Sequence, residues 1–485
     1  MNHFIGRKAE LELLKSLLSK NSASLITVTG RRRIGKSTLI EVFGSNQGKF
    51  ISIQGLGPDT EVNKQQQLSH FSDCLSHHFQ TRKVLYADWS DAFADLAEKT
   101  KVGRHIVLLD EISWMAKGEP LFPLMLKNAW DQSLKKNEKL LLILCGSVST
   151  WIEDNIIRSK TFLGRVSLSL IIKELHINEI NQFWEKNKVQ ITAFEKMLVL
   201  SVTGGVPKYL EETTSKNLAS INLARLCFNE GGLLFNEFEN IFADIFSKKS
   251  KTLEKIIRLC LFSKLTPTDL AKKLKIDFNS ELSEHIYILQ ISGFLTRDYY
   301  YKPDGTQSKL SHLRVNDNYL RFYIKYIKPL KNKIKQSEKK VESFNQLDQF
   351  ESLMGYQFEN LILANRHKII EKIGLNNNEI QSASPYVQRV TSKIPKACQI
   401  DLLVHTNLNI FFLCEIKCMK LIDRSIIKEV EKKMNALKLP KRSTLRPVLI
   451  YTGELYAPHL DEINSYFQKV ISFEDLLKDS FLITT

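Results

Sequence analysis

Two groups of residues, far apart in the 485-residue chain, have the types and spacing that phosphate chemistry requires. In the first, SLITVTGRRRIGKSTLIEVFG, Gly30, Gly35, Lys36 and Ser37 fall in the spacing GxxxxGK[ST] between an apolar, β-rich run (25–29) and a helical pattern. Glycines so placed let backbone N–H groups wrap the phosphates of ATP, and Arg33 belongs to the same loop. Lys36 is expected to reach the β and γ phosphates and Ser37 to ligate Mg²⁺, while Thr38 adds a hold from the first helical turn.

A phosphate loop needs a second acid for its metal and its water, and RHIVLLDEISWM supplies it. Residues 106–109 read as a buried strand that ends in Asp110 and Glu111; Asp110 is expected to bind Mg²⁺ through water and Glu111 to orient the attacking water. A further apolar strand, KLLLILCGSVST, ends in Ser147, placed to sense the γ-phosphate, with a plain strand-ending serine as the alternative. In RSKTFLGRVSLSL, Arg158 and Arg165 are both candidates for an arginine finger acting on a neighbouring subunit, and Arg165 is preferred.

The second group lies in IDLLVHTNLNIFFLCEIKC (400–418). Alternation along a strand puts Glu415 and Lys417 on one face. A turn on 407–409, with Thr406 facing Ile410, sets Asp401 opposite Glu415, whereas a tighter turn on 407–408 sets it opposite Cys414; the sequence permits both. In the first register two carboxylates meet and repel unless a cation lies between them, and hard oxygen ligands suit Mg²⁺ or Mn²⁺. A lysine beside such a metal can position or activate a water, which is the equipment of metal-assisted phosphodiester hydrolysis. An exposed Glu–Lys pair at a strand end is the plain alternative. Upstream, GYQFENLI (355–362) has a helical pattern that brings in Glu359 as a further ligand or ligand-orienting acid; downstream, SIIKEVEKKMNAL reads as an amphipathic helix and RPVLIYTG (446–453) as a buried strand.

From residue 344 onward, the order GxxFE helix, ID strand, ExK strand, helix and apolar strand resembles the PD-(D/E)XK, restriction-endonuclease-like fold. The resemblance implies metal ligation by Asp401 and Glu415, a catalytic Lys417 and a supporting Glu359; the family's usual proline before the aspartate is Ile400 here. The first half of the chain, through FIGRKAEL, GRRRIGKS, LLDEISW, LCGSVST, the LGR segment and TGGVPKYL, resembles the archaeal-type P-loop ATPase family, a branch of the AAA+/STAND NTPases. That resemblance implies that Gly6 and Arg7 lie on the adenine side and that the GGVP turn belongs to a helical lid; no basic residue there is assignable as a second sensor.

Length points to about three domains. A hydrophobic fraction of 43% suffices for ordinary cores, and a formal net charge of +16 favours an acidic partner, nucleic acid before an anionic membrane. The N-terminus has no secretory pattern and the apolar runs are too short to span a bilayer, so a soluble cytoplasmic protein is expected. The seven cysteines show no CxxC spacing and read as reduced core residues.

Between the two groups, KTLEKIIRLCLFSKLTPTDLAKKLKIDFNSELSEHIYILQISGFLTRDYYYKPDG shows three helical periods and then strands turning at PDG, the pattern of a winged helix. Glu281 and Glu284 on its second-motif helix weigh protein contact equally with DNA reading. The expected α/β chain has a P-loop ATPase core with helical lid (1–245), a winged helix (246–328), a lysine-rich linker (329–346) and a restriction-endonuclease-like domain (347–485). The expected function is ATP hydrolysis coupled to Mg²⁺- or Mn²⁺-dependent cleavage of DNA, preferred over RNA, in a chain that can form a homo-oligomer. The alternatives are a STAND-type defence switch with a triggered nuclease, and a nucleic-acid-binding regulator whose nuclease fold does not cut.

Overall fold

The computed structural model describes residues 4–57, 62–147, 150–185, 191–213, 216–246, 250–302, 304–342, 344, 347–390, 392 and 395–478. They form two compact units, divided between Glu174 and Leu175. The GGVP turn, expected in the lid of an ATPase core reaching residue 245, thus lies in the second unit, where helix Ala193–Thr203 packs on helices that follow it in sequence.

The first unit is built on β1 (Ser24–Gly30), β2 (Lys49–Gln54), β3 (His105–Asp110), β4 (Leu140–Ser147) and β5 (Val166–Ile172), in the order β2-β3-β4-β1-β5. Every pairing is parallel. Parallel strands need crossover helices, which cover both faces, and this is why IVLLD and LLLILCGS read as unbroken apolar runs. Ile51, Ile53, Val107, Leu109, Leu142 and Leu144 pack on one side against Phe71, Trp89, Phe93 and Phe122.

In the second unit, helices Ser250–Cys260, Pro267–Leu274 and Ser280–Ile291 precede a hairpin of β6 (Leu295–Tyr301) and β7 (Gln307–Val315). The Thr266 hydroxyl accepts from the Asp269 N–H at 3.0 Å and the Asn279 side chain from the Leu282 N–H at 2.8 Å, so both later helices begin on side-chain caps. Glu281 and Glu284 are exposed on the third helix. At the hairpin turn Gly305 has φ 82°, and Pro303 of the expected PDG turn lies outside the described residues.

The lysine-rich stretch, which reads as a linker or an exposed helix, is an exposed helix at its start and docks further on. It opens as helix Lys328–Lys335, and beyond it Val341 and Phe344 are buried, Phe344 stacking on Phe322 at 5.6 Å between ring centroids. The apolar residues at 341, 344 and 347 recur every third position and are buried, while Lys339 and Lys340 just before them are exposed.

A mixed sheet follows, made of β8 (Ile380–Gln388), β9 (Cys398–Thr406), β10 (Ile410–Ile422), β11 (Thr444–Leu455) and β12 (Lys469–Ser472), in the order β12-β11-β10-β9-β8. Strands β8, β9 and β10 are antiparallel, and β10, β11 and β12 are parallel. The parallel step from β10 to β11 is bridged by helix Ser425–Ala436, whose Ile426, Ile427 and Val430 close the core over Leu413 and Leu449. All seven cysteines are free. Among the described residues no helix is long and apolar enough to cross a membrane.

Candidate functional site

Strand β1 ends at Gly30, and helix Lys36–Gly44 begins five residues later with Gly35 as its cap. Gly30 has φ 151°, and a β-carbon there would collide with the Ile172 carbonyl, so β5 requires glycine at that point. Arg33 and Gly35 both have positive φ, 65° and 88°, which curls the loop into a cradle of backbone N–H groups. The buried Lys36 ammonium spans the mouth of this cradle, donating to the carbonyls of Gly30 and Arg31, each at 3.1 Å. Thr38 is exposed on the first helical turn.

The sheet order carries Asp110 to the same edge. Ser37 Oγ donates to Asp110 Oδ2 at 2.7 Å, so the two oxygens expected to serve Mg²⁺ are already adjacent. Asp110 Oδ1 accepts from the Glu111 N–H at 3.0 Å, and Glu111 itself is left-handed at φ 49°. That turn aims its carboxylate at the end of β4, where Oε2 accepts from the Ser147 N–H at 3.2 Å and from Ser147 Oγ at 3.1 Å. Ser147 therefore holds the expected water-orienting acid in place. Beside them burial, together with the Asp110 charge, drives the Cys145 thiol well above its ordinary range, so this cysteine stays protonated.

The cradle and the Ser37–Asp110 pair fit a nucleotide with Mg²⁺. When bound, the metal would neutralise phosphate charge; Lys36 would bind the terminal phosphates and Glu111 would orient water.

Arg165 forms a two-pronged pair with Asp131 on helix Phe122–Gln132, with Nε at 3.0 Å from Oδ1 and Nη2 at 2.8 Å from Oδ2. The guanidinium, with Lys127 and Lys135, holds the Asp131 carboxyl below the usual carboxylate range. Arg158 pairs with Glu153 at 3.0 Å. Arg7, expected on the adenine side, is buried and braces the loop: its Nη2 donates to the Ile34 carbonyl at 3.0 Å and to that of Lys173 at 2.6 Å. Its reach across the first unit has no local sequence signal.

The second group of residues comes together in the β8–β12 sheet. The ladder pairs Phe411 with His405 and Cys414 with Leu402, and one step further sets Glu415 opposite Asp401. This is the register of the wider turn. Asn409 supplies the required left-handed residue at φ 57°, and Thr406 Oγ accepts from the Ile410 N–H at 3.2 Å. Asp401 Oδ2 accepts from the Ile416 N–H at 3.0 Å. Burial, then the charges of Glu415 and Glu359, raise the Asp401 carboxyl to about 7.

Glu415 is 1% exposed, and both of its oxygens accept from Lys433 of helix Ser425–Ala436, at 2.8 and 2.6 Å. Lys417 lies 3.1 Å from Glu415 Oε1 and 2.8 Å from Glu429 Oε1. Burial alone would lower Lys417, but these two carboxylates outweigh it and raise the ammonium's pKa. Glu359, on helix Phe350–Ala364, gives Oε1 to Lys264 at 2.7 Å.

Sequence reasoning did not single out Lys433, Glu429 or Lys264. Residues 429 and 433 are one helical turn apart on the amphipathic helix, which is the only signal they carry. Among the described residues no group of three or more His, Cys, Asp or Glu side chains is arranged to hold a metal ion. The fit of a divalent cation rests on the facing pair Asp401 and Glu415, whose mutual repulsion a cation would relieve.

Residues 4–213 match a family model described as an ATPase domain predominantly from Archaea. An uncharacterized protein of Methanocaldococcus jannaschii is 24% identical over 368 residues, which span 73% of this chain and 75% of that one. An uncharacterized ATP-binding protein of the same organism is 48% identical over 44 residues, 9% of this chain and 75% of its own length. Among solved structures, the Walker-type ATPase of Pyrococcus abyssi aligns with a TM-score of 0.46 at 15% identity, covering 66% of this chain and 95% of that chain. With the family match laid over the loop, the Ser37–Asp110 pair and Glu111, residues 4–213 of this chain belong to the P-loop ATPase family found predominantly in Archaea.

Proposed function

We propose that the chain couples ATP hydrolysis to metal-dependent cleavage of nucleic acid, DNA in preference to RNA. The observation that carries this reading is the opposition of Asp401 and Glu415 on one sheet face with Lys417 beside them. Asp401 and Glu415 would hold Mg²⁺ or Mn²⁺, with Glu359 as the supporting acid, and Lys417 would position the attacking water. The net charge of +16 supports a polyanionic partner. The expected cofactors are ATP and Mg²⁺, with Mn²⁺ accepted at the second site, and the expected setting is the cytoplasm. Arg165 would serve a neighbouring subunit's nucleotide only after exchanging Asp131 for phosphate, which ties that role to a homo-oligomer.

The helices and hairpin of 250–315 would link the nucleotide state to the target. The Lys264–Glu359 pair favours a second reading, a nuclease silent until triggered, since a lysine of that segment engages one of the acids at rest. The test is to incubate wild type and Asp401→Ala with single- and double-stranded DNA and with RNA, with Mn²⁺ or Mg²⁺, with and without ATP. Cleavage by wild type alone is expected; equal cleavage by both proteins sinks the site, and cleavage by neither leaves the triggered reading and the one in which the fold does not cut.

A further inference from the structure

Three features of Glu415 stand out together. It is almost wholly buried, both of its carboxylate oxygens are engaged by one ammonium, and that ammonium comes from outside the ExK strand. The Lys433 side chain descends from helix Ser425–Ala436 and is 21% exposed, so it has an open route to solvent. One turn back on the same helix, Glu429 Oε1 lies 3.7 Å from Lys433 Nζ and 2.8 Å from Lys417 Nζ. The positive charge of Lys433 also reaches Asp401 and opposes the rise of its carboxyl. A tethered ammonium therefore sits where the two facing acids need positive charge.

We propose that Lys433 is a built-in competitor for the divalent-cation site, and that a metal ion gains Glu415 only as Lys433 swings one turn back toward Glu429. This rests on the reading of Asp401 and Glu415 as metal ligands. Physically, an ammonium and a metal ion cannot both take the same two oxygens at full strength, and a unit charge at hydrogen-bond distance opposes the entry of a second cation. Lys417 does not fill the same role, because Glu429 already holds it at a shorter distance than Glu415 does. Glu429 is thus a positioning residue: it parks Lys417 and offers the landing place for Lys433. Occupancy by metal would require a concentration high enough to displace the lysine, so the site would be set by metal supply and by whatever moves helix Ser425–Ala436.

The experiment is Mn²⁺ binding to the full chain without nucleotide, read by electron paramagnetic resonance of the free ion. Binding present in wild type and absent in Asp401→Ala defines the site, so Mn²⁺ held elsewhere is subtracted. Lys433→Met should bind Mn²⁺ at this site at least about tenfold more tightly than wild type. Lys433→Gln, which keeps a hydrogen-bond donor but no charge, should do the same, and it covers the case in which the methionine variant folds poorly. Lys432→Met, a neighbouring exposed lysine of the same helix, should bind as wild type does and so separates local competition from overall charge. Equal Mn²⁺ affinity in wild type and both Lys433 variants overturns the competition while leaving the metal site standing. Weaker affinity in those variants also overturns it, and shows Lys433 supporting the metal. No Asp401-dependent binding in any of the proteins overturns the inference together with the reading beneath it.

Discussion

Replacing Glu111 by Gln tests the ATPase chemistry with little disturbance of its frame. The side chain keeps its length, and its amide oxygen can still accept from the Ser147 N–H and Oγ, which now hold Oε2 at 3.2 and 3.1 Å. The left-handed turn at φ 49° and the bond from the Glu111 N–H to Asp110 Oδ1 do not depend on the carboxylate. On the proposed assignment the change removes the negative charge that would polarise water, and positioned catalytic groups of this kind contribute about 10²–10⁴-fold. Turnover should therefore fall at least about 100-fold, about 2.7 kcal/mol in the barrier, with ATP still bound. Ser147→Ala removes one of the two donors that orient the carboxylate and leaves the backbone donor, so a smaller loss of roughly tenfold is expected, in line with about 1.5 kcal/mol for a hydrogen bond to a charged group. Phosphate release at saturating ATP, paired with titration of a fluorescent ATP analogue, separates turnover from binding. Normal turnover in Glu111→Gln would refute the assignment, and a Ser147→Ala variant slower than Glu111→Gln would show that the serine acts on nucleotide and not through Glu111.

Lys36→Ala should abolish nucleotide binding while the circular dichroism melt stays within about 1 kcal/mol of wild type, because the ammonium bonds only loop carbonyls. Asp298→Asn should destabilise the second unit by about 3–5 kcal/mol in a denaturant melt, since it leaves the buried Arg314 guanidinium without the carboxylate it meets at 2.8 Å. His367 is held down at about 4, from an ordinary 6.5, by burial and by the His176 ring at 4.5 Å. The folded state thus favours the neutral ring, so its contribution is complete above pH 6.5 and is lost as pH falls from 6.5 through 4. His367→Gln should flatten that window by roughly 1–2 kcal/mol, discounted for partial exposure, as read from urea midpoints at pH 7 and pH 4.5.

How much the sequence reveals depends on how local the determinant is. The loop of GRRRIGKS is legible because its strand, glycines and helix are consecutive, and each needs its own residue type. The meeting of Asp401 with Glu415 is legible only as a choice between two turns. What decides it is that Asn409 accepts a left-handed backbone and Thr406 closes the turn with its hydroxyl, details that a pattern of apolar residues does not encode. Lys433 and Lys264 are illegible for a different reason. Lysines are abundant in this chain, and nothing in their immediate neighbours distinguishes the one that descends onto Glu415 from the exposed one beside it. Only the packing of helix Ser425–Ala436 on the sheet makes the distinction, and Lys264 meets Glu359 across 95 positions of sequence. The buried Phe344 belongs to the same class: its spacing with Val341 is visible, but the lysines upstream dominate the composition of the stretch.

The helix that carries Glu359 is also fixed from behind. Gln357 Nε2 donates to the Ser201 carbonyl at 2.9 Å and to that of Asn318 at 2.8 Å, while its oxygen accepts from the buried Arg321 guanidinium. Asn360 donates to the Asn316 carbonyl at 2.8 Å and accepts from Arg314, which Asp298 neutralises. These amides point to the backbone of helix Ala193–Thr203, within the residues matched by the ATPase family model, and to the segment that follows β7. Each is a buried polar group whose partner cannot be exchanged for water, so shifting helix Phe350–Ala364 along its axis would strand several donors at once, at about 1–3 kcal/mol each. The axial position of Glu359, and with it the charge that Glu359 places on Asp401, is therefore set by residues 201, 314, 316 and 318 as much as by its own helix. Gln357 thus ties helix Phe350–Ala364 to helix Ala193–Thr203 through the Ser201 carbonyl, and a shift that breaks this bond also strands the buried groups bonded at 316 and 318.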